Sequence, residues 1–163
     1  MKAFAVTLAT VAGLALSALP AYAQQQKTTL TLAAAKKMAA ACEARAAKEG
    51  WAMITAIMDD GGNLRYLSRM DNSFLGSVEI AQLKANTSAS FPFSTRQVGE
   101  IASKNVPGIV HVPGVVTFAG GLPIVTAKGE HIGSIGVSGN TADNDEICAQ
   151  AALDAVKDEL GLK

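Results

Sequence analysis

Histidine and cysteine each occur only twice and lie far apart, so no cluster has the spacing of a structural zinc site. Neither sign of charge is in surplus, with 14 basic residues against 14 acidic ones. That balance excludes a nucleic-acid binder working by bulk electrostatics, which needs a basic excess or stripe. Aromatic residues are scarce: five Phe, two Tyr and one Trp. No GxSxG nucleophile turn, GxGxxG fingerprint or Walker loop is present. Against these absences, 49% of the residues are apolar, although Ala and Gly inflate the figure. This content excludes a low-complexity or disordered chain. The 163 residues suffice for one domain with a substantial core and are too few for two. A compact α/β or α+β domain remains, and its function has to be read from a few loops.

The first segment stands apart. Met1-Lys2 is a short positive start, Ala3 to Leu19 is an uncharged apolar run, and Ala21-Tyr22-Ala23 is a small-x-small site. These features predict a secretory signal peptide over residues 1–23, cleaved after Ala23, and a flexible N-terminus over 24–29. The run is short for a full span and leads into Gln24-Gln25-Gln26, so no permanent membrane span is expected. The protein is then periplasmic or secreted. In an oxidising compartment Cys42 and Cys148 have two readings. They form a disulfide joining the first and last helices, or they are two small buried side chains on apolar helix faces.

Periodicity lays out the domain over residues 30–163. Ala35, Met38, Ala39, Cys42 and Ala46 recur at helical spacing between Thr31 and Glu49, and Gly50 ends the run. Trp51 to Met58 and Leu64 to Arg69 read as strands around the turn Asp59-Asp60-Gly61-Gly62-Asn63. A second helix covers Ser77 to Ser90, and Ser94 with Gln97 forms a capping box for a third, ending near Ser103. Two Pro-Gly pairs make Asn105 to Gly114 an ordered loop. Three strands are expected next, at Val115 to Phe118, Leu122 to Thr126 and His131 to Ser138. A helix from Thr141 to Glu159 closes the chain, with Ile147/Ala151/Ala155 and Cys148/Ala152/Val156 as its apolar rows. The order αββααβββα predicts an α+β fold with a mainly antiparallel five-stranded sheet, both terminal helices covering one face.

Few residues are placed for chemistry. Gly133-Ser134-Ile135-Gly136-Val137-Ser138-Gly139 runs from a strand into a helix start. Free N–H groups at Gly139, Asn140 and Thr141 suit an anion, whereas the glycines equally suit close packing on the strand. Asp143 and Asp145 at the same helix start would repel an anion. His111 lies between two Pro-Gly turns in an apolar loop, a position open to a metal or heme-iron ligand. Arg65, Arg69, Lys84 and Arg96 are either partners for a ligand's carboxylates or solvated charges.

Met58-Asp59-Asp60-Gly61-Gly62-Asn63-Leu64, Ser68-Arg69-Met70-Asp71, Gly76 to Ala81 with Lys84-Ala85, Gly120-Gly121-Leu122-Pro123-Ile124, His131 to Gly139, and Asp145-Glu146 form a series. In order and spacing it resembles the GlcG-like/HbpS-like family of heme-binding proteins, over about Leu30 to Val156. The resemblance implies a profilin-like α/β/α sandwich with a five-stranded sheet. It also implies homo-oligomers, often octamers, and a non-covalent, b-type heme at subunit contacts. A secreted relative acts with a sensor kinase; others accompany corrinoid adenosyltransferases or glycolate operons, and some are credited with heme degradation. Thr117 matches the threonine implicated as an axial ligand, and His111, six residues earlier, is the stronger donor chemically.

The reading that follows is a secreted heme carrier, buffer or sensor accessory. His111 or Thr117 would approach iron, Phe91, Phe93 or Phe118 would face the macrocycle, and Arg69, Lys84 or Arg96 would meet the propionates. Expected partners are heme, further copies of the chain, and a sensor kinase or transporter. Two other readings remain open. One is an enzyme or accessory binding a small organic acid or aromatic compound in a catabolic operon, and the other is an oligomeric module without a ligand.

Overall fold

The computed structural model describes residues 27–163. The signal-peptide reading of 1–23 therefore lies outside the described residues. Helix α1 spans Leu32–Glu49, with Thr31 as N-cap accepting from the Ala34 amide and Gly50 in the left-handed conformation (φ 71°) at its end. Strands β1 (Ile54–Asp59) and β2 (Leu64–Arg69) form a hairpin. Its turn is closed by the Asp59 carboxylate, which accepts from the amides of Gly61 and Asn63, and by Gly62 at φ 74°. Helices α2 (Ser77–Ser90) and α3 (Thr95–Lys104) follow, and the expected capping box at Ser94 and Gln97 is present in full. Strands β3 (Gly121–Val125) and β4 (His131–Ser138) lead to α4 (Ala142–Leu160), capped by Thr141.

The sheet has four antiparallel strands in the order β2-β1-β4-β3. The expected fifth strand, Val115 to Phe118, does not form. Its backbone is claimed by α2: Thr87 Oγ1 accepts the Val116 amide at 2.9 Å and lies 3.3 Å from the Gly114 carbonyl, while the Val115 amide turns back to Val112. The chain first joins the sheet at Gly120, whose carbonyl accepts from the Val137 amide. With the Val115 and Val116 amides engaged away from the sheet, those two donors are not available to a ladder. The loop from Asn105 to Gly114 also differs from expectation, because Pro107–His111 coils into a short 3-10 helix.

Helices lie on both faces of the sheet. On one, α1 and α4 bury Met38, Ala39, Cys42, Cys148, Ala152 and Val156 against Ile57, Ile135 and Val137. Each fully buried Ile or Val stabilises the fold by about 1.5–3 kcal/mol. Cys42 and Cys148 are bonded across this layer, their Cα atoms 4.8 Å apart. Only one of the two predicted rows of α4 is buried; Ile147 faces outward. On the other face α2 lays Ala81 and Ala85 against Ile54, Ala56 and Met58. Gly136 allows this approach, since a Cβ there would stand 2.1 Å from the Ala81 carbonyl oxygen. The helix thus rests on bare strand backbone, which is the packing role of the glycine pattern.

Candidate functional site

A cleft of about 610 Å³ opens where α3, the 3-10 helix, the loop 117–119 and the start of α4 meet. That volume lies within the roughly 300–1,000 Å³ of small-molecule sites. Ala102, Pro107, Val110, Phe118 and Ala119 give it apolar walls, and Thr117, Arg96 and Asp143 contribute polar groups. Phe118 is 48% exposed and presents its ring beside the other apolar walls of the cleft. The capped start of α3 brings Arg96 to the mouth. Gly99, one turn on, holds α3 against the loop, because a Cβ there would lie 2.1 Å from the Thr117 carbonyl oxygen.

Beneath Phe118 lies a buried ion pair. Lys84 is fully buried on α2, and its ammonium donates to Asp145 Oδ2 at 2.6 Å and to the Val137 carbonyl at 2.9 Å. It also sits 4.8 Å from the centroid of the Phe118 ring, a cation–π contact. Asp145 Oδ1 accepts the Asn140 amide at 3.0 Å, so both carboxylate oxygens are engaged. Burial pulls the Lys84 pKa below its ordinary value and pushes that of Asp145 above its own, each effect opposed by the partner. Gly120, at φ 119°, lies directly on the pair, since a Cβ there would come 2.6 Å from Lys84 Nζ. Any side chain at that position would split it.

Four of the sequence candidates converge here: Arg96, Thr117 and Phe118 on the cleft, and Lys84 under Phe118. Lys84 does not reach the cleft as a free cation, because Asp145 holds it. Arg96 is also matched, donating from Nε to Glu146 at 3.1 Å and from Nη2 to Asp143 at 2.5 Å. The anion reading of Gly139, Asn140 and Thr141 meets an occupied helix start. The Asn140 amide goes to Asp145, the Thr141 amide to Asn140 Oδ1, and Thr141 Oγ1 caps Asn144. Asp145 therefore turns inward and does not repel a ligand.

Other candidates lie elsewhere, Arg65, Phe91 and Phe93 among them, none of which lines the cleft. His111 ends the 3-10 helix on its exposed side and does not line the cleft. Arg69 lies at the far end of β2, where its guanidinium contacts Ser73 Oγ and the Ser73 carbonyl at 3.4 Å. His131 is half-buried, with Nε2 enclosed and unpartnered among the described residues. Sequence reasoning missed Gly99, Gly120 and the pairing of Asp145 with Lys84. An isolated glycine inside a helical pattern was the available signal for Gly99. No local signal joins residues 84 and 145.

The family model described as "Haem degrading protein HbpS-like" matches residues 30–154. The chain belongs to this HbpS-like family. Protein GlcG of Escherichia coli K12 is 36% identical over 112 residues, covering 69% of this chain and 83% of GlcG. The crystal structure of HbpS superposes with a TM-score of 0.76 at 36% identity, covering 82% of this chain and 94% of that one. A crystal structure of PduOC in complex with heme matches with a TM-score of 0.73 at 27% identity, over 78% of this chain and 95% of PduOC. The family match over residues 30–154 takes in every residue that lines the cleft.

Proposed function

We propose that this protein binds heme non-covalently in the cleft beside Phe118 and acts outside the cytoplasm as a heme carrier, buffer or sensor accessory. The observation that carries the reading is a half-exposed aromatic ring on a mainly apolar cleft, in a family with a relative crystallised as a heme complex. The residues present fit such a group. Apolar walls and Phe118 suit a flat macrocycle, and Thr117 offers iron an oxygen donor; with Arg96 engaged by Asp143 and Glu146, the propionates would lie in solvent at the mouth. Iron and macrocycle supply any redox chemistry; the chain supplies the apolar enclosure. A small organic acid fits less well, because the cleft's one lining cation is already engaged by Asp143 and Glu146.

Export is supported by the apolar N-terminal segment and by the Cys42–Cys148 bond, which suits an oxidising compartment. Self-association is supported by Phe74 and Leu75, which expose 70% and 77% of their surface. Hemin titration followed at the Soret band tests the reading. Saturable binding of one heme per subunit is expected. Thr117→Val should shift the band position, and His111→Ala should leave it unchanged. Absence of saturable binding would overturn the proposal, and a band shift only in His111→Ala would move the iron to the 3-10 helix.

A further inference from the structure

Lys84 has no partner role left for a ligand's carboxylate, yet its ammonium lies under the one aromatic ring that lines the cleft. We propose that Lys84 is a specificity-determining residue acting through Phe118, which makes the ring a platform for flat, electron-rich aromatic ligands and not for aliphatic acids. The inference rests on the cleft being the heme site and deepens that reading.

An aromatic ring carries negative charge on its faces and positive charge at its edge. A cation held against one face draws π density towards itself and leaves the opposite side poorer in electrons. Such a surface stacks best with an electron-rich π system. Because Lys84 Nζ is fully buried, water and salt screen this effect little, while Asp145, bonded at 2.6 Å, offsets part of the charge and leaves the residual field of the ammonium 4.8 Å from the ring centroid. The contact also holds the ring in place, so less freedom is lost when a ligand stacks on it. Net charge points the same way. Asp145 matches Lys84, and Asp143 with Glu146 match Arg96, so an aliphatic acid finds no unpaired cation among the described lining residues. What the cleft offers is a polarised ring on apolar walls.

Metal-free protoporphyrin IX separates stacking from iron ligation, and its fluorescence reports binding. Acetate serves as the aliphatic control. Four proteins are compared: wild type, Lys84→Met with Asp145→Asn, Phe118→Leu, and all three changes together. Removing both charges at once leaves no buried ion unpaired, and Asn retains the acceptor for the Asn140 amide. We expect porphyrin binding by wild type, weak or no acetate binding, and a loss of about two- to fivefold in the charge-free variant, the scale of a weak aromatic–cation effect, because the Lys84–Phe118 contact is present before the ligand arrives and only its influence on stacking enters the affinity. The triple variant should be no weaker than Phe118→Leu. In the unliganded protein, NMR should find the Lys84 ammonium protons shifted upfield by the Phe118 ring, and Phe118→Leu should abolish that shift.

Full affinity in the charge-free variant, or losses that multiply in the triple variant, would overturn the proposal. Wild-type binding of hemin without binding of the metal-free porphyrin would also overturn it and leave the heme reading standing. Binding of neither would overturn both. Should the charge-free variant fail to fold, Phe118→Trp and Phe118→Leu carry the test. Trp, the better cation–π face, should bind porphyrin at least as tightly as wild type, and equal binding by Leu would overturn the proposal.

Discussion

The two faces of the sheet are built by different means. On the α1/α4 face, aliphatic side chains and one disulfide make a layer with little polar content. On the α2 face the apolar cluster is small, and the interior holds Lys84, Thr87, Ser88 and Ser134. Most of these polar groups have a defined partner: Ser134 donates to the Ala85 carbonyl at 2.7 Å, and Thr87 holds the chain at Val116. Apolar packing specifies volume, whereas hydrogen bonds and charge pairs specify direction. The cleft lies on the second side. Its loop has no ladder to align it, and directional bonds from α2 set its course.

This contrast can be broken experimentally. The largest effect should come from Lys84→Met alone, which strands Asp145 as an unpaired buried carboxylate. A loss of about 3–5 kcal/mol is expected by urea unfolding. Recovery of much of that loss on adding Asp145→Asn would assign the cost to the orphaned charge; an unchanged loss would assign it to packing. Reduction of Cys42–Cys148 should come next, costing about 2–4 kcal/mol because the bond closes a long loop. It acts on the opposite face, so the Soret spectrum of bound heme should stay the same. A changed spectrum would mean that the two faces are coupled.

Thr87→Val should remove the acceptor of the Val116 amide and cost about 1–2 kcal/mol, with weakened hemin binding as the loop shifts. A stability loss without any binding change would separate the loop from the cleft. The smallest effect concerns pH. Burial holds the His131 pKa below its ordinary value, outweighing the nearby backbone of Ser88 and Gly133. The folded state therefore favours neutral imidazole. Its contribution is complete above about pH 6.5 and is lost as pH falls through the window between the unfolded and folded values. Melting temperature should fall between pH 7.5 and 5.5, and less steeply in His131→Gln; equal slopes would exclude this residue.

The helices and the β1–β2 hairpin were legible because their signals are local: Thr31 and Thr141 as caps, the Ser94–Gln97 box, and the Asp59 turn. The supposed strand at Val115 to Phe118 has strand-like composition, and what overrides it is the Thr87 hydroxyl, 29 positions before Val116. Arg96, Thr117 and Phe118 line one cleft, whereas His111 and Arg69, proposed from loop position and residue type, do not. Residue type says what a side chain can bind, and only topology says whether it arrives. The meaning of Lys84 changed most. A lysine on a helix reads as a surface charge until Asp145, 61 residues later, is brought against it.

The cleft walls are also unequally anchored. Its floor is fixed through Gly120 and the ion pair, whereas α3 buries only Thr95, Val98 and Ala102. A wall held by three modest buried side chains and the exposed Arg96 pairs should yield before a floor held by a buried pair, so α3 should show the earlier amide exchange of the two. Capture and release are then governed by different parts of the molecule. If heme occupies this cleft, displacement of α3 should set how fast it enters and contact with Phe118 how long it stays. Variants of the ring should register chiefly in residence time.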